Sequence, residues 1–199
     1  MNDLFFNMIK TDETIDKKLA KFYEMHLKCE INLTSVKNRD DFYLKHYLDS
    51  IYCFQKYFKL CGSLADMGSG GGFPGIVIAI FYPEVKVTLI ESIGKKCRFL
   101  ENAVSALDLS NVTVINGRAE SVKGKTFNTI TARGVAPVKD VIKNTWQLSE
   151  SGTQWVLYKG ERLADELANA RAMLAAKGVK IENIRIDSPI TRTYCIITR

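Results

Sequence analysis

The sequence predicts an α/β fold: a mostly parallel seven-stranded sheet with helices on both faces, preceded by an N-terminal helical extension. Three observations carry this. From residue 61 onward, short β-branched runs alternate with amphipathic helical stretches, the pattern of parallel strands joined by crossover helices. Leu64-Ala65-Asp66-Met67 leads into Gly68-Ser69-Gly70-Gly71-Gly72-Phe73-Pro74-Gly75, an apolar strand followed by four glycines in five residues and then a helix start. Finally, Gly68, Glu91, Ala119, Glu120, Arg133 and Lys159 all fall at predicted carboxyl ends of strands, where open α/β sheets bind ligands. The chain is expected to divide near residue 60, with a helical extension over 1–60 packed on a main domain over 61–199.

Each element follows from local pattern. Residues 1–10 show too little periodicity to assign. From Asp12 to Leu27, Ile15, Leu19 and Phe22 recur at helical spacing, with Thr11 or Asp12 available as cap. Residues 31–36 are a polar connector. A second helix is predicted from Arg39 to Lys59, capped by Asn38, with Leu44, Tyr47, Leu48, Ile51, Phe54 and Phe58 as its apolar stripe. Its many aromatics would suit base stacking, but a stripe packed on the main domain is the simpler expectation. His46, without partner ligands nearby, is expected to be a hydrogen-bonded structural residue.

In the main domain, strands are predicted at Ser63–Met67, Val85–Ile90, Val112–Ile115, Phe127–Ala132 and Gln154–Tyr158. Helices are predicted at Gly75–Tyr82, Lys95–Leu107, Val138–Leu148 and Glu161–Lys177. The last two strands, Val179–Ile186 and Thr193–Thr198, leave no room for a helix between them, so they should form an antiparallel hairpin at the sheet edge.

Composition narrows the function classes. No apolar run reaches the roughly 18–20 residues needed to span a bilayer, and no basic-then-apolar leader is visible, so no membrane association is expected. Five cysteines are widely spaced without a Cys-x-x-Cys pair, which argues for free thiols in a cytoplasmic setting and against structural zinc or any metal. The net charge is +6. Residues 1–60 carry 10 basic and 9 acidic side chains and residues 61–199 carry 18 and 13, so the excess lies in the main domain. That excess is compatible with a phosphate-rich partner.

The glycine turn carries the chemistry. A dinucleotide fingerprint needs glycine at the first, third and sixth positions, and the sixth position after Gly68 is Phe73. The spacing is instead Asp-x-Gly-x-Gly-x-Gly, beginning at Asp66, which resembles the first motif of Rossmann-like methyltransferases that use S-adenosyl-L-methionine. Gly68 and Gly70 would let the backbone approach such a ligand. Glu91 lies 23 residues after Gly68, where an acidic side chain accepts hydrogen bonds from ribose hydroxyls. A methyltransferase of another target and an inactive cofactor-binding RNA chaperone fit this turn as well.

A larger set of motifs resembles one family. Asn32-Leu33-Thr34, His46-Tyr47-Leu48-Asp49-Ser50, the stretch Asp66–Gly75, Glu91-Ser92 with Lys95-Lys96, Gly117-Arg118-Ala119-Glu120, Thr131-Ala132-Arg133 with Val135-Ala136-Pro137, and Lys159-Gly160 occur in order. Together they are similar to the bacterial 16S ribosomal RNA guanine-N7 methyltransferases, also called the glucose-inhibited division protein B family. The match spans roughly residues 31–160; Gly134, where the family more often has alanine, is a small departure. The resemblance implies a Rossmann-like class I methyltransferase, with cofactor contacts at Gly68, Phe73, Ala119, Glu120 and Arg133. It implies 16S ribosomal RNA or the small ribosomal subunit as partner, and a monomer is expected. N7 of guanine carries a free lone pair, so no catalytic acid, base or nucleophile is named.

Overall fold

The computed structural model describes residues 3–199. Seven strands form one sheet in the order β3-β2-β1-β4-β5-β7-β6. They are β1 (Ser63–Met67), β2 (Lys86–Glu91), β3 (Val112–Asn116), β4 (Thr129–Arg133), β5 (Gln154–Lys159), β6 (Lys180–Ile186) and β7 (Arg192–Thr198). The first five are parallel. The expected C-terminal hairpin forms, with β7 inserted antiparallel between β5 and β6. Strand order reverses between β1 and β4, so the crevice beyond their carboxyl ends is a topological switch point.

Alternation along the strands divides the core in two. Leu64, Leu89, Val156, Tyr158, Tyr194 and Ile196 face one side, and Ala65, Ile90, Ile130, Trp155, Leu157 and Ile197 face the other. This is the two-residue period of a sheet buried on both faces. Helices α5 (Gly75–Phe81) and α6 (Gly94–Ala106) cover the first side, and α7 (Val138–Thr145) and α8 (Leu163–Ala176) the second.

The N-terminal helices complete the first side. They are α1 (Asp3–Met8), α2 (Glu13–Lys28), α3 (Arg39–Phe42) and α4 (Asp49–Lys56). Phe5, Leu19, Phe22, Phe42 and Tyr47 share one core with Phe73, Phe99 and the sheet. Asp12 caps α2 by accepting from the Ile15 N–H at 2.8 Å, and Asn38 caps α3 through the Asp41 N–H at 3.1 Å. Both satisfy donors that the first turn leaves unpaired. Tyr57 is 54% exposed, whereas the first aromatics of this stretch are buried, with Phe42, Tyr43 and Tyr47 at most 1% exposed. Their rings meet edge to face, with Tyr43 and Tyr47 centroids 4.7 Å apart, a favoured aromatic geometry.

Sequence expectations change most in the N-terminal helices. Residues 3–8, left unassigned, form α1, because Phe5 and Ile9 find a pocket that local periodicity does not reveal. The continuous helix expected over Arg39–Lys59 ends at Lys56 and is interrupted at Tyr43–Leu48 by a π-helical turn. There the Asp49 N–H reaches back to the Leu44 carbonyl, and the Ser50 hydroxyl donates to the His46 carbonyl at 2.6 Å. Such turns occur often at functional sites. This one places His46 and Asp49 against the carboxyl ends of β4 and β5.

Candidate active site at the switch point

The turn leaving β1 is built by glycine conformation. Gly68, Gly70 and Gly72 have φ of +68°, +55° and +89°, values that side chains with a Cβ rarely adopt. The Gly68 N–H donates to the Ile90 carbonyl at 2.8 Å, fixing the turn to β2. Asp66 is fully buried and braces the turn from within. Its Oδ2 accepts from the Gly75 N–H at 3.2 Å and its Oδ1 from the Thr131 hydroxyl at 2.8 Å. Desolvation raises its pKa to about 6. Asp66 therefore holds the helix start to β4 and does not face a ligand.

Glu91 is the last residue of β2, one position earlier than its expected place beyond the strand, and is 5% exposed. Its Oε2 accepts from the Gly70 N–H and its Oε1 from the Ile93 N–H, each at 2.9 Å. Two backbone donors thus fix the carboxylate, while each oxygen retains lone-pair capacity for a further hydroxyl. Ala119 is buried at the start of a short 3-10 turn after β3, and its carbonyl accepts from the Gln147 amide at 2.9 Å. The Glu120 side chain is exposed, 3.8 Å from the Arg118 guanidinium.

Phe73 turns toward the N-terminal helices. Its ring stacks on His46 with centroids 4.5 Å apart, and the Arg133 guanidinium carbon lies 5.1 Å from its centre. Arg133 donates through Nη1 to Asp49 Oδ2 (3.0 Å) and the Lys45 carbonyl (3.2 Å), and through Nη2 to His46 Nδ1 (3.2 Å). Arginine has only donors, so His46 Nδ1 is an acceptor and Nε2 carries the proton toward the Thr34 hydroxyl at 2.7 Å. Desolvation, with Arg133 adding to it, lowers the His46 pKa to about 3. The ring is neutral near pH 7 and its acceptor nitrogen is already occupied.

Gly70 and Glu91 thus meet directly, and Phe73 and Arg133 meet through cation–π contact. Gly68 joins them through the backbone of β2. Ala119 and Glu120 sit at the next strand end: the Gly117 N–H donates to the Glu91 carbonyl at 2.9 Å. A cavity of about 1180 Å³ opens on the other side of Arg133, lined by residues that include Lys45, His46, Gly134–Pro137, Lys159 and Arg192. Lys159 is paired with Glu166 at 2.7 Å there.

Sequence reasoning missed three contributors. His26 on α2 has Nε2 2.9 Å from the Gly71 carbonyl and so clips the glycine turn. Asp49 and Arg192 form a part-buried ion pair, with Arg192 Nε 2.7 Å from Asp49 Oδ1. Only Asp49 left a signal in the sequence, as a member of the His46-Tyr47-Leu48-Asp49-Ser50 motif.

The residues present suit an S-adenosylmethionine-sized ligand. A Cβ added at Gly70 would meet only the Gly68 carbonyl, at 3.7 Å, so the turn is open above it. A fixed, shielded carboxylate stands beside that opening. Among the described residues no group of three or more His, Cys, Asp or Glu is placed to hold a metal, and no helix is long and apolar enough to cross a membrane.

Sheet order, glycine turn and the acidic end of β2 define a Rossmann-like methyltransferase. Solved structures share the fold at low identity. One is a MtNAS structure in complex with MTA and tNA (TM-score 0.64, 13% identity, 94% of this chain and 70% of that one). Another is Pyrococcus horikoshii TYW2 in complex with MeSAdo (TM-score 0.57, 15% identity, 78% and 60%). Sequence comparison is more specific. The family described as rRNA small subunit methyltransferase G matches residues 15–192. The ribosomal RNA small subunit methyltransferase G of Roseiflexus castenholzii is 35% identical over 177 residues, covering 85% of this chain and 76% of that protein. That of Lactobacillus johnsonii is 32% identical over 202 residues, covering 94% and 84%. The chain belongs to the rRNA small subunit methyltransferase G family and is an S-adenosylmethionine-dependent rRNA methyltransferase.

Proposed function

We propose that this enzyme methylates N7 of a guanine in 16S ribosomal RNA, in the cytoplasm and as a monomer. The cofactor would be held by Gly68, Gly70, Phe73, Glu91, Ala119, Glu120 and Arg133. The observation that carries the site reading is the Glu91 carboxylate locked against the Gly70 N–H at the switch point. When bound, S-adenosylmethionine supplies an electrophilic methyl group on a sulfonium. Gly68 and Gly70 would admit its amino-acid tail to the backbone, Glu91 would accept from its ribose hydroxyls, and Ala119 and Glu120 would border the base.

Guanine N7 attacks without first losing a proton, so the protein needs no general base. His46 fits this picture, because its only lone-pair nitrogen accepts from Arg133. The chain's task is orientation, a route able to supply several kcal/mol of rate acceleration. Arg133 carries a planar donor fork suited to a carboxylate or phosphate. It borders both the turn, through Phe73, and the cavity.

Transfer of radiolabelled methyl from S-adenosylmethionine to 16S RNA, followed by chemical cleavage at N7-methylguanine, tests the assignment. Label that resists such cleavage, or that enters only protein or small molecules, overturns it.

A further inference from the structure

Asp49 is 1% exposed and begins α4. Two arginines from distant strands converge on it. Its Oδ2 accepts from Arg133 Nη1 at 3.0 Å and Arg192 Nη2 at 2.8 Å, and its Oδ1 from Arg192 Nε at 2.7 Å. Arg192 Nη1 also donates to the Lys159 carbonyl at 3.4 Å. The Asp49 carbonyl accepts from the Tyr194 hydroxyl at 2.9 Å, which fixes the carboxylate's own backbone. Both arginines line the cavity.

Two guanidiniums on one carboxylate leave a net positive charge. Each guanidinium has five N–H donors, and the bonds above use three on each. Lys159 differs, since Glu166 neutralises it. A buried carboxylate that orients two forks, each with two donors unused and both at residues lining a cavity, builds a receptor for a tetrahedral oxyanion.

We propose that Arg192 forms a subsite for a phosphate of the RNA strand beside the target guanosine, with Arg133 next to it bridging this subsite and the cofactor, and Asp49 as the positioning residue that sets both guanidiniums. This rests on the rRNA methyltransferase reading above.

The test uses the full chain with Arg192→Gln and Asp49→Asn. Arg192→Gln should raise KM for 16S RNA about tenfold and leave S-adenosylhomocysteine affinity, read by calorimetry, at the parental value. The plot of log KM against log salt should be shallower by about 0.7, the single-strand value for one phosphate. Asp49→Asn removes a negative charge, so a purely electrostatic effect would tighten RNA binding; the positioning role instead raises KM about tenfold and flattens the salt slope. Thermal melting identifies an unfolded Asp49→Asn protein, in which case Arg192→Gln decides alone. Parental KM and slope in Arg192→Gln, a lowered cofactor affinity at parental KM, or tighter RNA binding by folded Asp49→Asn would overturn the subsite. Failure of the parent enzyme to methylate rRNA would overturn the functional reading instead, and filter binding of RNA by parent and Arg192→Gln would still decide the subsite.

Discussion

Glu91 owes its orientation to two backbone donors, Gly70 and Ile93. Glu91→Ala removes the ribose acceptor and also leaves the Gly70 N–H without its partner. Hydrogen bonds to charged groups contribute about 1.5–3 kcal/mol, so S-adenosylhomocysteine affinity should fall about ten- to a hundredfold by calorimetry. A change under about twofold would remove Glu91 from the site. At Gly68 an added Cβ would come within 2.6 Å of a Val135 methyl, besides adopting a positive φ. Gly68→Ala should therefore weaken cofactor binding, and Val135→Ala should restore only the steric share, since the φ strain remains. Full restoration in the double variant would show that the turn tolerates a side chain. His26 adds a pH dependence. Desolvation lowers its pKa to about 4 and that of His46 to about 3, both from 6.5. Folding thus favours the neutral rings; their contribution is full above pH 6.5 and is lost as pH falls through the folded values. Asp66 acts oppositely, because desolvation raises it from 3.8 to about 6, favouring the folded state as pH falls between those values. Two histidines outweigh one aspartate. Melting temperature should fall on acidification from pH 6.5 toward 4, and His26→Gln should flatten the fall, by on the order of 2–3 kcal/mol in stability. An unchanged profile in His26→Gln would refute this account of the ring.

At the scale of elements, the junction between α4 and the sheet fixes the cavity's geometry. Two buried hydroxyls make it: Tyr158 on β5 donates to the Ser50 carbonyl at 2.6 Å, and Tyr194 on β7 to the Asp49 carbonyl at 2.9 Å. Both carbonyls lie in the first turn of α4, just past the π-helical turn. Tyr158→Phe removes one donor and leaves a buried carbonyl short of a partner, at a cost of about 1–3 kcal/mol. Urea denaturation should show that loss at an unchanged m value. Because α4 also carries Asp49, the same substitution should raise KM for RNA more than it weakens cofactor binding. Equal effects on both would place the damage in the whole fold.

Across the whole molecule, charge and topology separate two binding problems. Six of the seven proposed cofactor residues cluster where β1, β2 and β3 end, and Arg133, at the end of β4, borders both regions. The cavity beyond β4 and β5 carries Lys45, Arg133, Lys139, Lys159, Arg162 and Arg192 against Asp140, Glu161, Asp165 and Glu166. Each phosphate neutralised on binding adds to salt dependence. RNA affinity should fall steeply between low and physiological salt, and cofactor affinity should change much less. Filter binding of RNA beside calorimetry of S-adenosylhomocysteine checks this; RNA association independent of salt would show that the basic excess is not the contact surface.

The sheet and the glycine turn are legible in the order of residues alone. Strand period, turn residues and helix caps act within about ten residues of chain, so Ser63–Met67 is found where it was expected and Asp12 and Asn38 cap their helices. The lack of room for a helix before the last strand likewise dictated the antiparallel hairpin. The surroundings of Arg133, by contrast, arise only once the chain is folded. Its carboxylate partner lies 84 residues earlier, and Arg192 reaches the same carboxylate across 143 residues. No local periodicity encodes a pairing at that range. It depends on how the N-terminal helices pack on the sheet and on the π-helical turn that ends at the buried Asp49. A chain's local pattern specifies which segments form; the meeting of buried charges is settled only when those segments share a core, because only there does desolvation make the partner's identity matter.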